Sequence, residues 1–327
     1  MSPDGTPRPA SDRNGFVQVL LDDLRPRAKS LIITVYGDAI APHGGTVWLG
    51  SLIRLVAPLG LNERLVRTAV LRLSRDGWLA ATRAGRRSYY SLTESGRLSF
   101  EDAFRRIYTP PRVAWTGDWT LVFTALGRLS RESRARLGRT LTWQGFGVVA
   151  PGIFAHPTPD EDALRHALGA AGLCEDALVM TARTKALPGL RPLPDLLRGC
   201  WELERVAAAY RGFLDRFAPI CREIEATARL DPQFCFLIRT LLMHEYRRVL
   251  LRDPVLPEAL LPADWAGAAA RDLCRDLYCR TVLPAERHLM SVLRTADGPL
   301  PAAAPRFYAR FGGLPRAEAL AGAAAAR

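Results

Sequence analysis

The sequence predicts a mixed α+β chain of several domains, and three stretches of its pattern carry that prediction. Residues from about Leu31 to Tyr108 read as short helices, a basic β-hairpin and a closing helix. Residues from Trp119 to Ala182 alternate strand and helix, and beyond about residue 191 the apolar spacing is helical alone. The 327 residues suffice for two or three domains of about 100–200 residues each. A hydrophobic content of 48% supplies a core and excludes global disorder.

Composition sets the boundaries. Residues 1–24 read as a flexible leader, since Met1 to Asn14 is rich in Pro, Ser and Gly and lacks the hydrophobic stretch of a secretory signal. A first domain, 25–112, ends at the linker Thr109-Pro110-Pro111. A second, 113–190, runs into the Pro-rich stretch Pro188 to Pro194. A helical domain, 191–294, follows, and 295–327 is an Ala/Pro-rich tail, read as loose unless Phe307, Tyr308 and Phe311 dock it locally. No apolar run reaches the roughly 18 residues of a membrane span. Cys174, Cys200, Cys221, Cys235, Cys274 and Cys279 are scattered without a CxxC pair, which points to free thiols in a reducing cytoplasm and not to a zinc site or disulfide scaffold.

In the first domain, Leu31 to Ala41 is a short helix ending at the turn cluster Pro42-His43-Gly44-Gly45. Leu49 to Val56 is a second, stopped by Pro58 and Gly60. Asn62 caps a third that runs to about Asp76 and ends at Gly77. At 100° per residue, Leu65, Val66, Ala69, Val70 and Leu73 fall on one apolar arc. The opposite arc holds Arg64, Arg67, Thr68, Leu71 and Arg75, with Arg72 on its flank. Two strands follow, Trp78 to Thr82 and Ser88 to Leu92, joined by Arg83-Ala84-Gly85-Arg86-Arg87. Thr93-Glu94-Ser95-Gly96 then opens a helix to Tyr108. Helix, turn, helix and basic hairpin is the order of a winged helix-turn-helix.

Charge supports a DNA-binding reading. The chain carries 45 Lys and Arg against 33 acids, a net +12 that favours a polyanion: nucleic acid, an anionic membrane or a phosphorylated ligand. All basic residues but Lys29 and Lys185 are arginine. Between Arg54 and Arg97 stand nine arginines and three acids, so this stretch holds half of the net charge. Arginines there neutralise phosphates or take guanine bidentately. Arg64, Arg67, Thr68 and Arg75 are the candidates for the major groove, with Arg72 on the flank also a DNA contact; Arg83, Arg86 and Arg87 ride the wing, toward the minor groove or flanking phosphates. A basic amphipathic helix alone is more often a solvated face, and winged helices also bind proteins; the helix, turn and wing together point to DNA.

Several runs resemble one family. Ser30-Leu-Ile-Ile-Thr-Val-Tyr-Gly-Asp38, Asp76-Gly-Trp-Leu79 and Gly85-Arg-Arg-Ser-Tyr-Tyr-Ser-Leu-Thr93 are similar to the PaaX family of transcriptional repressors, which regulate bacterial phenylacetate catabolism. The likeness continues through Arg106-Ile-Tyr108, Trp115…Trp119, Trp143-Gln-Gly-Phe-Gly147, Pro151-Gly152, His244-Glu-Tyr-Arg-Arg248, Arg252-Asp-Pro254, Leu260-Leu-Pro262 and Asp264-Trp265, over roughly residues 25–290. The resemblance implies a homodimeric repressor with an N-terminal winged helix, a central ferredoxin-like domain and a helical C-terminal domain. It also implies release from the DNA operator by phenylacetyl-coenzyme A or a related aryl-CoA thioester, with no further cofactor.

In the second domain, Trp119 to Leu126 is a strand by its β-branched and aromatic content. Arg131 to Trp143 is a helix, Gly147 to Phe154 a strand broken by Pro151-Gly152, Asp160 to Ala171 a helix and Ala177 to Ala182 a strand. A ferredoxin-like sandwich needs a further strand within 147–158. The domain also resembles that of the small metal-dependent nucleases of CRISPR adaptation, which hold a cation with a carboxylate just past the first strand. Thr124-Ala-Leu-Gly-Arg128 has no acid there and Asp118 lies at the wrong end, so a supporting role in dimerisation is expected, with neither metal nor catalytic residues.

In the third, Cys200 to Phe217, Ile220 to Leu230, Pro232 to Leu251 and Trp265 to Thr281 read as helices. His244, Glu245, Tyr246, Arg247 and Arg248 form its densest polar cluster. His244 lacks a nucleophile partner, and its other reading is a packed core histidine. Given the implied effector, Arg247 and Arg248 are candidates for its phosphates and Trp143, Phe146, Trp201 and Tyr246 for its aromatic acyl group. The alternatives are bridges to acids such as Glu202 or Glu204, and ordinary core packing. The rival functions are an enzyme acting on acyl-CoA or nucleic acid, and a protein-binding adaptor.

Overall fold

The computed structural model describes residues 10–109, 115–124, 130–170, 172, 177–185 and 193–315. Both Pro-rich linkers (in part), residues 125–128 past the first strand of the second domain, Cys174 and the tail beyond Leu314-Pro315 lie outside them. The fold is mixed α+β and divides into two compact units. The first gathers residues up to 110 with 212–248 and 269 onward; the second holds 111–211 and 249–268.

The first unit opens with α1 (Ala10–Leu24), where the sequence suggested a loose leader. Its first residues are polar, but Val17, Leu20 and Leu24 recur at helical spacing and are buried. Helix α2 (Ala28–Val35) runs into a π turn over Tyr36–Ile40 and a 3-10 turn over Ala41–His43, and Gly44 and Gly45 at φ +88° and +77° let the chain reverse. Then come β1 (Thr46–Trp48), α3 (Leu49–Val56), α4 (Glu63–Arg75), β2 (Leu79–Ala84), β3 (Arg87–Leu92) and α5 (Glu94–Tyr108). Strand β3 lies centrally in an antiparallel β1-β3-β2 sheet. Asn62 Oδ1 accepts from Leu65 N at 2.9 Å and Thr93 Oγ1 from Gly96 N at 3.0 Å, so both expected helix starts carry side-chain caps.

The second unit has β4 (Asp118–Phe123), α6 (Arg131–Trp143), β5 (Gly147–Ala150), β6 (Ile153–His156), α7 (Glu161–Ala170), β7 (Leu178–Arg183) and α8 (Leu193–Trp201). The broken strand is a hairpin: the chain turns at Pro151-Gly152, with Gly152 at φ +81°. Sheet order is β5-β6-β4-β7, every pair antiparallel. Val122 and Phe154 pack on one face with Leu137 and Leu141 of α6 and Leu164 and Leu168 of α7. Trp119 and Ala155 pack on the other with Leu197 and Trp201 of α8, a helix the sequence reading missed.

Long helices complete the chain: α9 (Leu203–Glu225), α10 (Pro232–Leu250) and α11 (Gly267–Val292). The sequence suggested a break before Ile220 and an end at Thr281, yet α9 passes Pro219 and α11 passes Pro284. Each proline removes one backbone donor, but Phe213, Phe217, Ile220 and Ile224 of α9, and Ala285 and Leu289 of α11, keep the buried stripe continuous. Of the tail, the part around Phe307 docks, the alternative its aromatic residues left open. Residues 305–312 form 3-10 turns, Phe307 and Arg310 are buried, and Ala304 N donates to Pro42 O at 2.9 Å.

Candidate nucleic-acid interface

Helix α4 separates its faces. Val66, Ala69, Val70 and Leu73 are buried, and Leu31, Ile32 and Val35 of the neighbouring α2 are buried as well. Leu65, expected in the core, is 43% exposed, because it sits at the border of the arc within the first turn. On the outward arc Arg64, Arg67, Thr68, Leu71, Arg72 and Arg75 are all exposed. Arg67 pairs with Glu63 one turn earlier at 2.7 Å, and Thr68 Oγ1 donates to Arg64 O at 2.8 Å. Asp76, just past the helix, pairs with Lys29. The outward face is therefore an array of guanidiniums with one hydroxyl and one leucine.

The β2–β3 hairpin extends this array. Only Leu79 of β2 is buried. The expected five-residue turn is shorter: Arg83 pairs with Ser88 and Ala84 with Arg87, leaving Gly85-Arg86 as a two-residue loop with Gly85 at φ +58°. Arg83 and Arg87 thus stand on strands and Arg86 at the tip, all three exposed. Arg83 Nε donates to Gly85 O at 3.3 Å.

The sequence reading overlooked Trp48. Its ring carries the guanidinium of Arg87 at 4.8 Å and that of Arg54 at 5.2 Å, so it fixes one hairpin arginine from β1. Gly50 leaves room for the ring, since a Cβ there would fall 2.4 Å from it.

The residues named for an effector are divided between the units. His244 Nδ1 lies 3.2 Å from Thr34 Oγ1 of α2. Burial, with the nearby Arg247 and Arg248 charges, lowers its pKa to about 3, so it is a neutral packed histidine at neutral pH. Arg247 donates to Ser30 Oγ at 3.1 Å and Arg248 to Glu245 at 2.7 Å, in place of Glu202 or Glu204. Tyr246 is buried with its ring 5.6 Å from Phe213. In the second unit, Trp143 is 64% exposed, while Phe146 and Trp201 lie in separate clusters on opposite faces of the sheet. Asp118 accepts from Thr116 at 3.0 Å and pairs with Arg183 at 2.8 Å, which hold its carboxyl below the usual range. Among the described residues no group of three or more His, Cys, Asp or Glu is placed to hold a metal, and no helix is long and apolar enough to cross a membrane.

Comparison with known proteins agrees in all three parts. Residues 27–96 match the model of the PaaX-like protein family, 112–191 that of the PaaX protein central Cas2-like domain, and 201–291 that of the PaaX-like protein C-terminal domain. The transcriptional repressor PaaX of Escherichia coli (strain K12) is 38% identical over 300 residues, which cover 91% of this chain and 94% of that protein. The uncharacterized protein Rv0674 from Mycobacterium tuberculosis shares the fold with a TM-score of 0.51 at 24% identity, over 79% of this chain and 98% of that one. With three family models matched in chain order and a relative alike along nearly its whole length, the chain belongs to the PaaX-like family and is a transcriptional repressor, not an enzyme.

Proposed function

We propose that the N-terminal part of the first unit, the domain read over residues 25–112, is a winged helix-turn-helix that grips an operator of a phenylacetate-type catabolic operon. The observation that carries this is the partition of α4: one arc is buried, and the other presents Arg64, Arg67, Thr68, Arg72 and Arg75 beside the exposed wing arginines Arg83, Arg86 and Arg87. Helix α4 enters the major groove and the hairpin lies on the flanking backbone or minor groove. Two copies of the chain, acting in the cytoplasm, read successive half-sites of a pseudo-palindrome. The antiparallel β5-β6-β4-β7 order with α6 and α7 on one face supports a ferredoxin-like reading of the central domain. That domain assists dimerisation.

Phenylacetyl-coenzyme A or a related aryl thioester is the proposed effector. It releases the DNA by preferring a state in which the two recognition helices are misaligned, since a ligand without such preference shifts nothing. A mobility-shift assay on DNA upstream of the gene, with and without phenylacetyl-coenzyme A, tests both steps. A retarded band that the thioester dissolves is expected. No retardation of any neighbouring DNA rejects the DNA reading, and retardation indifferent to aryl thioesters rejects the effector.

A further inference from the structure

We propose that a cavity of about 170 Å³ on the α8 side of the four-stranded sheet is the seat of one benzene-sized aromatic ring, that of the effector. The assignment of the ring to an effector rests on the reading above; the cavity's chemistry does not. Trp119 and Leu121 of β4, Ala155 of β6 and Ala182 of β7 line its sheet side, and Leu197 and Trp201 of α8 line the side opposite. A dry apolar cavity of about 150 Å³ is large enough to take benzene. The cavity beside α2 and α5 that Arg247 borders measures about 70 Å³ and falls short of that. Size alone therefore selects the sheet-face cavity for a ring.

Its walls select the ring's character. The Trp119 and Trp201 indoles have centroids 6.0 Å apart and meet at 34°, an angled aromatic wall. Both indole donors are engaged elsewhere: Trp119 Nε1 donates to Thr184 Oγ1 at 2.8 Å and Trp201 Nε1 to Gly145 O at 2.7 Å. The cavity thus offers π faces and hydrocarbon, and a polar head buried there would go unpaired. Gly147 lets the wall stand where it does, since a Cβ on it would lie 2.4 Å from the Trp201 ring. At the rim Arg183, Thr184 and Val149 are exposed, so a carbonyl or longer polar substituent on the ring leaves the cavity past the Arg183–Asp118 pair and the Thr184 hydroxyl that holds Trp119.

Fluorobenzene observed by ¹⁹F NMR with the full-length chain is the direct probe. Saturable broadening is expected with the unaltered protein, weakened at least tenfold by Ala182→Phe, which sets a ring beside Trp119 across the strand pair. Val149→Trp, at the exposed rim, gives the same readout should the first variant fail to fold. Absence of saturable binding, or undiminished binding in folded variants, overturns the cavity as a ring site. Phenylacetyl-coenzyme A is then added. Displacement of fluorobenzene supports the effector's ring in this seat; operator release without displacement overturns that assignment. Fluorobenzene binding with no operator release by the thioester rejects the effector reading and leaves the ring site standing.

Discussion

Arg310 Nη1 donates to the Asp38 carboxylate at 3.0 Å and to the Asp38 carbonyl at 2.9 Å, joining residues 272 positions apart, both almost fully buried. Tyr108 and Tyr278 donate their hydroxyls to the same carboxylate at 2.7 and 2.9 Å. Arg239 faces its other oxygen at 3.1 Å and donates to Glu286 at 2.7 Å, and His43 lies 2.9 Å from Glu286. The Arg310 guanidinium also sits over the rings of Tyr108 and Phe307, at 4.2 and 4.7 Å. Two carboxylates thus balance two guanidiniums inside the first unit.

Breaking one side of this network leaves uncompensated charge in the interior. Asp38→Ala should destabilise the protein by about 3–5 kcal/mol, read from the midpoint of urea unfolding. Adding Arg310→Ala removes one of the stranded cations, so the double variant should lose less than the two single losses together. Additive losses would show that the two residues do not act as a pair.

That network also shows where the sequence falls silent. Phe307, Tyr308 and Phe311 hint that this part of the tail docks, but nothing marks Arg310 itself for burial, because its partner lies in a turn at the far end of the chain. Local features read well. Asn62 and Thr93 announce their helices, and α3 spans the very residues its flanking prolines and glycines suggest. The arginine face of α4 is legible because helical periodicity alone creates it. Trp48 is not, because its role depends on β1 pairing with β3 and bringing Arg87 to its ring. Pro219 misled because tertiary burial on both sides outweighs one lost hydrogen bond.

His244 makes stability depend on pH. Its folded pKa of about 3 lies below the ordinary histidine value near 6.5. Above pH 6.5 neither state is charged and the site is neutral in its effect. Below it the unfolded chain takes a proton that the folded protein refuses, so stability falls by about 1.4 kcal/mol per pH unit. Glu286, lowered to about 2 by Arg239 and His43 against the effect of its burial, adds a loss only below the ordinary glutamate range. His288, lowered by burial, adds a loss in the same direction below the ordinary histidine value. Comparison of the parent with His244→Gln by urea titration at pH 6.0, 5.5 and 5.0 isolates the site: the variant's slope should be shallower by about 1.4 kcal/mol per unit. Parallel slopes would mean that the histidine charges in the folded protein.

Gly147→Ala should destabilise by about 1–3 kcal/mol through overpacking, since the new methyl meets the Trp201 ring rather than a movable chain end. The indole would have to tilt, stretching its 2.7 Å bond to Gly145 O, so a shift in tryptophan emission should accompany the lowered melting temperature. Unchanged emission and stability would show that the ring has room to spare.

On the operator, the arginines should separate by role. Arg64→Ala, on the outward arc of α4, should cost about 1–3 kcal/mol of specific affinity if the residue reads a base edge. If Arg86 at the hairpin tip meets a phosphate, Arg86→Ala should make the dependence of log K on log salt shallower by about 0.9, with little change in sequence preference. Glu63→Gln tests the remaining charge. Glu63 holds Arg67 at 2.7 Å and, in the proposed interface, would stand toward the phosphates, so neutralising it should tighten DNA binding severalfold while costing the helix only the few tenths of a kcal/mol of an exposed pair. Fluorescence anisotropy with labelled operator at several salt concentrations measures all three. An affinity that Glu63→Gln leaves unmoved would place Arg67 outside the contact, for then its pairing would matter only to the free helix.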